Sequence, residues 1–293
     1  MNIQNNVLTS IILSLILLCS LISTAVYANE AVYKEYEAFN VSVVGNGQPV
    51  LLLPGVSSSG SVWDQTVQSL KQDYQLHVFN LAGFAGVPAA PMDKIGRSYL
   101  AYQKQAIIEY IAQNNLKDVV VIGHSLGGFL SLWIATDAPQ NVRGVINVDG
   151  LPALGALFAS MQTNDQNQQA PKGFDPVAMV KGMANNADWH QRILQDMSTS
   201  DQMTSGRAMG ELMSMDIRPQ LSNIKVPTLT LGAPAQGLPY SSYEQSKSNY
   251  EQQFANAQDA YHQFAFAKTS KHFIMADEPV WMNQQIRNFL QQL

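Results

Sequence analysis

The feature that most constrains this chain is the run VVVIGHSLGG at residues 119–128, followed at once by the helix-compatible stretch FLSLWIATDA. A Gly-x-Ser-x-Gly pattern between a buried strand and a helix is the sequence form of a nucleophile elbow, a turn so tight that the serine backbone is strained. The same letters occur in ordinary glycine-rich turns, so the rest of the chain must supply partners for the serine. The pattern predicts an exposed Ser125 hydroxyl at a helix N-terminus, where backbone N–H groups favour a developing negative charge.

The composition suits one large domain. The chain has 293 residues, of which 46% are hydrophobic and 13% charged, so one α/β domain with an insertion is favoured over two independent domains. The net charge of −5 leaves no basic surface for nucleic acid. We therefore expect no nucleic-acid partner.

Continuous apolar strands alternate with helices, which predicts a mostly parallel central sheet covered by helices on both faces. Two strands are expected within 36–53, and further strands at 74–83, 118–123, 142–150, 228–232 and 261–268. Helices are expected near 61–71, 98–114, 125–138, 240–255 and 279–292.

The alternation breaks between Leu151 and Asn223, a stretch that holds most of the 12 methionines. Three amphipathic helices are expected there, near 175–186, 188–198 and 201–214. The pattern predicts a helical cap at 151–223 inserted into an α/β core formed by 29–150 and 224–293. The methionines are either filler for an irregular core or the lining of a pocket for an apolar acyl group.

Residues 1–28 have the pattern of an export signal. Val7 to Val26 is almost wholly apolar, and Val26-Tyr27-Ala28 is typical of a cleavage site. We therefore expect a periplasmic or secreted protein. The leading MNIQNN lacks a basic residue and the apolar run could span a bilayer, so an uncleaved N-terminal membrane anchor is the alternative. Leu18 before Cys19 disfavours lipid attachment.

Cys19 is the only cysteine, so a chain cleaved after Ala28 would contain none. That excludes disulfides, thiol catalysis and cysteine metal sites from the mature protein. No HExxH motif, HxH motif or cluster of carboxylates is present. We therefore expect neither a metal nor an organic cofactor.

A serine nucleophile needs a base within hydrogen-bond reach, and the chain has five histidines. His272 lies in the loop KTSKHFIMADEP between the last expected strand and the last helix. It would therefore lie at the sheet edge where the elbow presents Ser125. We expect packing or solvated surface positions for the others, His77, His124, His190 and His262.

The order of strands, GHSLGG, a cap and a C-terminal SKHFIMADEP resembles the α/β-hydrolase superfamily, in particular its serine esterases and lipases with a helical cap. Three further segments are similar to family loops: PGVSSSGSVWDQ at 54–65, NLAGFAG at 80–86 and IRPQLSNIKVPTLTLG at 217–232. The resemblance implies that Ser125 is the nucleophile and His272 the general base. It also implies an oxyanion hole formed by the backbone N–H groups of Val56 and Leu126.

The chain departs from the family pattern in two places. The oxyanion loop begins Pro54-Gly55 where His-Gly is usual. The usual acid position after TLTLG is also vacant, because no Asp or Glu follows until Glu244. Asp149, at the end of VINVDG, matches the position used by some members. The alternatives are that Asp149 only caps a turn, that Asp216 or another cap residue is the acid, or that there is none.

These residues predict hydrolysis of a carboxylic ester, or a related acyl bond, through an acyl-enzyme on Ser125. The expected partner is a small-molecule ester or acyl substrate, with membrane contact only through an uncleaved N-terminus. Nothing in the sequence indicates an oligomeric state. An aminopeptidase or amidase of the same fold is one alternative, and a binding protein that has lost the acid is another.

Overall fold

The computed structural model describes residues 31–137, 140–157, 175–234 and 242–293, and the expected signal segment 1–28 lies outside them. Eight strands in the described part are β1 Val32–Glu35, β2 Phe39–Val44, β3 Gln48–Leu53, β4 Tyr74–Leu81, β5 Val119–His124, β6 Val142–Val148, β7 Thr228–Gly232 and β8 His262–Phe266. They form one sheet in the order β1-β2-β4-β3-β5-β6-β7-β8.

Six neighbouring strands, from β4 to β8 in the sheet order, run parallel. β2 is antiparallel to both β4 and β1, so one end of the sheet departs from the parallel pattern. The expected mostly parallel sheet is confirmed. β1 was not expected, because its four residues are all exposed and carry no alternation of buried and exposed positions.

Helices cover the sheet and follow its strands. They are α1 Asp64–Leu70, α2 Met92–Ile95, α3 Tyr99–Gln113, α4 Leu126–Thr136, α5 Pro176–Met183, α6 Ala187–Thr199, α7 Gln202–Ser214, α8 Tyr243–Gln253, α9 Ile274–Asp277 and α10 Pro279–Leu290. The expected helix 61–71 is divided into a 3₁₀ turn at Gly60–Trp63 and α1. No helix in the described ranges has the length and apolar character needed to cross a membrane.

The hydrophobic core lies on both faces of the sheet. In β3, Leu51 and Leu53 pack into one buried cluster, whereas Leu52 packs into the cluster on the opposite face. β5 divides in the same way, with Val121 on one side and Ile122 on the other. Because successive side chains of a strand point to opposite faces, a strand covered by helices on both sides is apolar throughout.

Helices α5, α6 and α7 lie between β6 and β7, where the sequence predicts the cap. The boundaries 151–223 stay a prediction, because 158–174 is outside the described residues. Among the described cap methionines, four pack against the buried clusters and three are exposed, so core filling accounts for four of these seven. The packed ones are Met179, Met183, Met197 and Met215, and the exposed ones are Met203, Met209 and Met213.

Polar contacts fasten the last cap helix, α7, to the core. The carboxylate of Glu211 accepts hydrogen bonds from the Ser98 hydroxyl at 2.7 Å and from the amides of Tyr99 and Leu100, both at 2.9 Å. Burial alone would raise the pKa of Glu211, but these bonds and one from Arg207 outweigh it and lower the pKa. Glu211, a charged residue of the helical cap, therefore supplies the hydrogen-bond acceptors for the N-terminal amides of α3.

Candidate active site

The turn between β5 and α4 places Ser125 in a strained conformation. Its φ is 54° and its ψ is −115°, a left-handed backbone that non-glycine residues rarely adopt. Its amide donates to the Val148 carbonyl at 2.9 Å. A β-carbon on Gly127 would overlap the carbonyl oxygens of Leu53 and Pro54, so only glycine allows this approach.

The hydroxyl of Ser125 has no structural role in the fold. It does not cap α4, and no hydrogen bond joins it to another described residue. The serine is half-buried, and the next amide, that of Leu126, belongs to the first turn of α4, whose backbone N–H groups have no partner within the helix. The hydroxyl is thus left available for chemistry at the positive end of a helix dipole.

The loop after β3 lies against the elbow. A β-carbon on Gly55 would lie 3.1 Å from the β-carbon of Ser125, so the loop backbone at Gly55 lies directly against the serine side chain. Val56 follows Gly55 directly, and Leu126 lies between Ser125 and Gly127, which itself abuts the same loop. The structure therefore brings the two segments that carry the expected oxyanion-hole amides to the same place beside Ser125.

His272 and Asp149 form a hydrogen-bonded pair. The Nδ1 atom of His272 lies 2.6 Å from Oδ2 of Asp149. The Asp149 side chain is 1% exposed and that of His272 is 25% exposed, so the carboxylate is buried and the imidazole reaches the surface of the site. Asp149 follows β6, and His272 lies in the loop between β8 and α9. Such a pair orients an imidazole and fixes its tautomer.

The other oxygen of Asp149 is also bonded. Oδ1 accepts a hydrogen bond from the Ala233 amide at 2.7 Å and one from the hydroxyl of Tyr250. The backbone of Asp149 is fixed as well, because its amide donates to the Leu231 carbonyl at 2.8 Å. These contacts exclude a role limited to capping a turn. Sequence reasoning missed Tyr250, since nothing in the sequence of a polar helix indicates that one of its tyrosines bonds a carboxylate at the end of a distant strand.

His124 holds the backbone of His272. Its Nε2 atom lies 3.0 Å from the His272 carbonyl oxygen, and the two rings have centroids 4.7 Å apart. Complete burial, reinforced by the neighbouring His272, holds the pKa of His124 well below its usual value. His124 is therefore neutral, and its Nε2–H donates to the carbonyl.

The remaining histidines are engaged away from the site. Burial lowers the pKa of His77 to about 4, and its Nδ1 atom lies 2.6 Å from the hydroxyl of Tyr110. Burial also lowers the pKa of His262 to about 4, and its Nε2 atom lies 2.9 Å from Oγ1 of Thr230. His190 bonds a carbonyl of the cap. As expected, these three residues serve packing and surface structure.

The alternative acid, Asp216, is not brought to His272. Its carboxylate bonds the guanidinium of Arg218 at 2.5 Å, and its side chain is 41% exposed. The hydrogen bond from Arg218 lowers the pKa of Asp216. Glu244, the first acidic residue after β7, is exposed in α8. In the described part of the chain, no three His, Cys, Asp or Glu side chains are grouped as a metal site requires.

Cap helix α6 is tied to the loop that follows Val56. One carboxylate oxygen of Asp196 accepts hydrogen bonds from the amide of Ser59 at 2.8 Å and from its hydroxyl at 2.7 Å. Arg192 donates to the carbonyl of Ser61 and, at 3.2 Å, to its hydroxyl. The family's usual histidine is absent from this loop, and here two charged side chains of the cap support it.

Comparison with known proteins gives consistent results. The sequence profile of the alpha/beta hydrolase fold matches residues 48–191. A pimeloyl-acyl-carrier-protein methyl ester esterase from Vibrio campbellii is 31% identical over 112 residues, 38% of this chain. The chain spans only 41% of that relative's length. The same enzyme from Vibrio cholerae is 27% identical over 67% of this chain and 79% of the relative.

Solved structures show the same architecture. A hydrolase from Pseudomonas aeruginosa PA01 superposes with a TM-score of 0.69 and 14% sequence identity, covering 90% of this chain and 99% of that protein. At that identity the likeness concerns the fold. The overall arrangement of a central sheet covered by helices is thus shared.

Proposed function

Because the chain belongs to the α/β-hydrolase superfamily, we propose that it is an exported serine hydrolase that cleaves a carboxylic ester through an acyl-enzyme on Ser125. The observation that carries the proposal is the bond of 2.6 Å between His272 and Asp149. His272 is linked to the strained Ser125 through His124, the residue before the serine, which bonds the His272 carbonyl. The relatives named as methyl ester esterases support ester chemistry. The assigned roles are nucleophile for Ser125, general base for His272 and orienting acid for Asp149.

The bond to Asp149 determines which imidazole nitrogen can act. Because Nδ1 of His272 donates to the carboxylate, Nε2 carries the lone pair that accepts a proton. In the first step, Oγ of Ser125 attacks the acyl carbon and its proton passes to Nε2. The buried carboxylate then stabilises the imidazolium that has formed.

The negative charge on the acyl oxygen needs donors in place before the reaction. The amides of Val56 and Leu126 supply them in this proposal, and the dipole of α4 adds to their field. Loss of one such donor typically costs on the order of 3 kcal/mol in the barrier.

The second half of the cycle uses the same residues. Imidazolium His272 returns its proton to the departing alkoxide, and the alcohol leaves. Water then attacks the acyl-enzyme while Nε2 removes its proton, which releases the acid and restores Ser125. No step requires a metal or an organic cofactor.

A panel of aryl esters of graded acyl length tests the proposal and measures the preferred chain. Wild type should show turnover, Ser125→Ala should show none above background, and Ser131→Ala should retain it. Ser131 is a matched control, since it lies in the same helix and its buried hydroxyl bonds the Gly128 carbonyl at 2.7 Å. Turnover of amino-acyl anilides in place of esters would favour the aminopeptidase alternative, and no turnover of either would favour the binding protein.

Export is a separate part of the proposal and rests on the segment 1–28, which lies outside the described residues. Mass spectrometry of the protein recovered from the periplasm or medium should find Asn29 as its first residue. Recovery of a membrane-bound chain that still carries the apolar run would contradict cleavage and export, and would show that the segment is an N-terminal membrane anchor.

A further inference from the structure

The carboxylate of Asp149 is fixed from two sides. One oxygen bonds His272, and the other accepts from the Ala233 amide and from the hydroxyl of Tyr250. We propose that Tyr250 is a positioning residue for the reaction, acting through Asp149 on the orientation of His272. The inference rests on the proposed function, since it assigns a role within the same catalytic group.

Both donors come from the chain after β7. Ala233 follows β7 directly and Tyr250 lies in α8, the next described helix. In most members of the family the acid follows this strand closely, but here no Asp or Glu occurs between β7 and Glu244. The segment after β7 supplies hydrogen-bond donors to Asp149, which directly follows the neighbouring strand β6, and β6 pairs with β7 at Val148 and Leu231.

Asp149 needs such donors for two reasons. Its φ of 53° lies in the left-handed region, so the backbone is strained and tertiary contacts must hold it. The terminal torsion of an aspartate is also broad, so one bond to an imidazole does not fix the plane of the carboxylate. Donors on Oδ1 fix that plane and direct Oδ2 at Nδ1 of His272.

Tyr250 is itself held firmly enough to do this. It is 2% exposed, and its ring meets that of Phe266 edge to face, with centroids 5.8 Å apart. The phenol therefore reaches the carboxylate at the end of a packed ring, and removal of its oxygen alone leaves that packing in place. This makes Tyr250→Phe an informative substitution.

The expected effect is on kcat. Tyr250→Phe removes one hydrogen bond to a charged group, which corresponds to a fall of roughly 10-fold in kcat. KM should change little, because Tyr250 is only 2% exposed and its side chain presents almost no surface to a substrate. Titration of active sites with a fluorophosphonate corrects kcat for any fraction of unfolded protein.

A double-mutant cycle separates positioning from stability. If Tyr250 acts through Asp149, Tyr250→Phe should have no further effect on kcat in an Asp149→Asn background. The matched control is Tyr110→Phe, which removes another buried hydroxyl, bonded to His77 at 2.6 Å and remote from the site. It should lower thermal stability and leave kcat unchanged.

Each outcome is decisive. An equal loss from Tyr250→Phe in both backgrounds, or no loss in wild type, would overturn the positioning role and leave the proposed function intact. A wild type that neither turns over esters nor reacts with the fluorophosphonate would overturn the proposed function, and this inference with it. A loss confined to the wild-type background supports it.

Discussion

Nδ1 of His272 and Oδ2 of Asp149 lie 2.6 Å apart, although 123 residues separate them in the chain. The pairing follows from the sheet, because β6, β7 and β8 are parallel neighbours and the segments after β6 and β8 emerge at the same edge. An acid placed after β6 can thus reach a histidine placed after β8. The consequences of this arrangement can be measured.

The first prediction concerns Asp149. Asp149→Asn should lower kcat on an aryl ester by about 10⁴-fold, since an amide favours the wrong imidazole tautomer. Asp216→Asn is the control and should retain full activity, because its carboxylate pairs with Arg218 and not with His272. Near-full turnover by Asp149→Asn would remove Asp149 from the catalytic group.

The second prediction concerns His124, whose Nε2–H donates to the carbonyl of His272. His124→Phe keeps a ring but removes the donor, so kcat should fall roughly 10-fold. His124→Gln keeps an amide donor at a similar reach and should recover much of that loss. Steady-state kinetics on both variants would decide, and equal kcat values for the two would show that the hydrogen bond has no role.

The third prediction concerns the tie between the cap and the oxyanion loop. Asp196→Ala removes the acceptor for the amide and hydroxyl of Ser59, so the loop after Val56 should loosen. Hydrogen bonds to a charged group contribute about 1.5–3 kcal/mol each, and we expect kcat to fall at least 10-fold. Asp188→Ala, an exposed position in the same helix, is the control. Equal kcat values for Asp196→Ala and Asp188→Ala would show that the bond between the cap and the loop does not contribute to catalysis.

The fourth prediction is a loss of stability in acid. Burial lowers the pKa of His77 to about 4, whereas the unfolded chain has the usual value of 6.5. Between these pH values the unfolded state binds a proton that the folded state does not. The free energy of unfolding should therefore fall as pH falls from 6.5 to about 4, by on the order of 3 kcal/mol for this histidine. The half-buried His262 adds a loss of the same sign.

Urea unfolding at a series of pH values measures this loss directly. His77→Gln cannot take up the proton, so its stability should depend less steeply on pH than that of wild type over the same range. Parallel curves for the two proteins would show that His77 does not titrate on unfolding.

Much of the architecture could be predicted from the sequence because its signals are local. The apolar runs of β3 and β5 mark strands buried on both faces, and the glycines around Ser125 mark a turn that no larger residue permits. The antiparallel end of the sheet carried no such signal. β1 is short and wholly exposed. The pattern of buried and exposed residues in β2 does not indicate whether the strand pairs in a parallel or an antiparallel direction.

The supports of the site were beyond sequence reasoning for a different reason. Tyr250 meets Asp149 across 101 residues, and Asp196 meets Ser59 across 137. Neither pair belongs to a motif, and a tyrosine or an aspartate on a polar helix is ordinarily a solvated residue. Their partners depend on the positions at which α8 and α6 pack against the core, and only the folded structure shows those positions.

The most direct test of the central claim is the site of covalent reaction with a fluorophosphonate, found by peptide mass spectrometry. We expect a single adduct on Ser125 in wild type, no adduct in Ser125→Ala, and much slower labelling in His272→Ala. An adduct on another residue, or equal and poor labelling of wild type and Ser125→Ala, would contradict it.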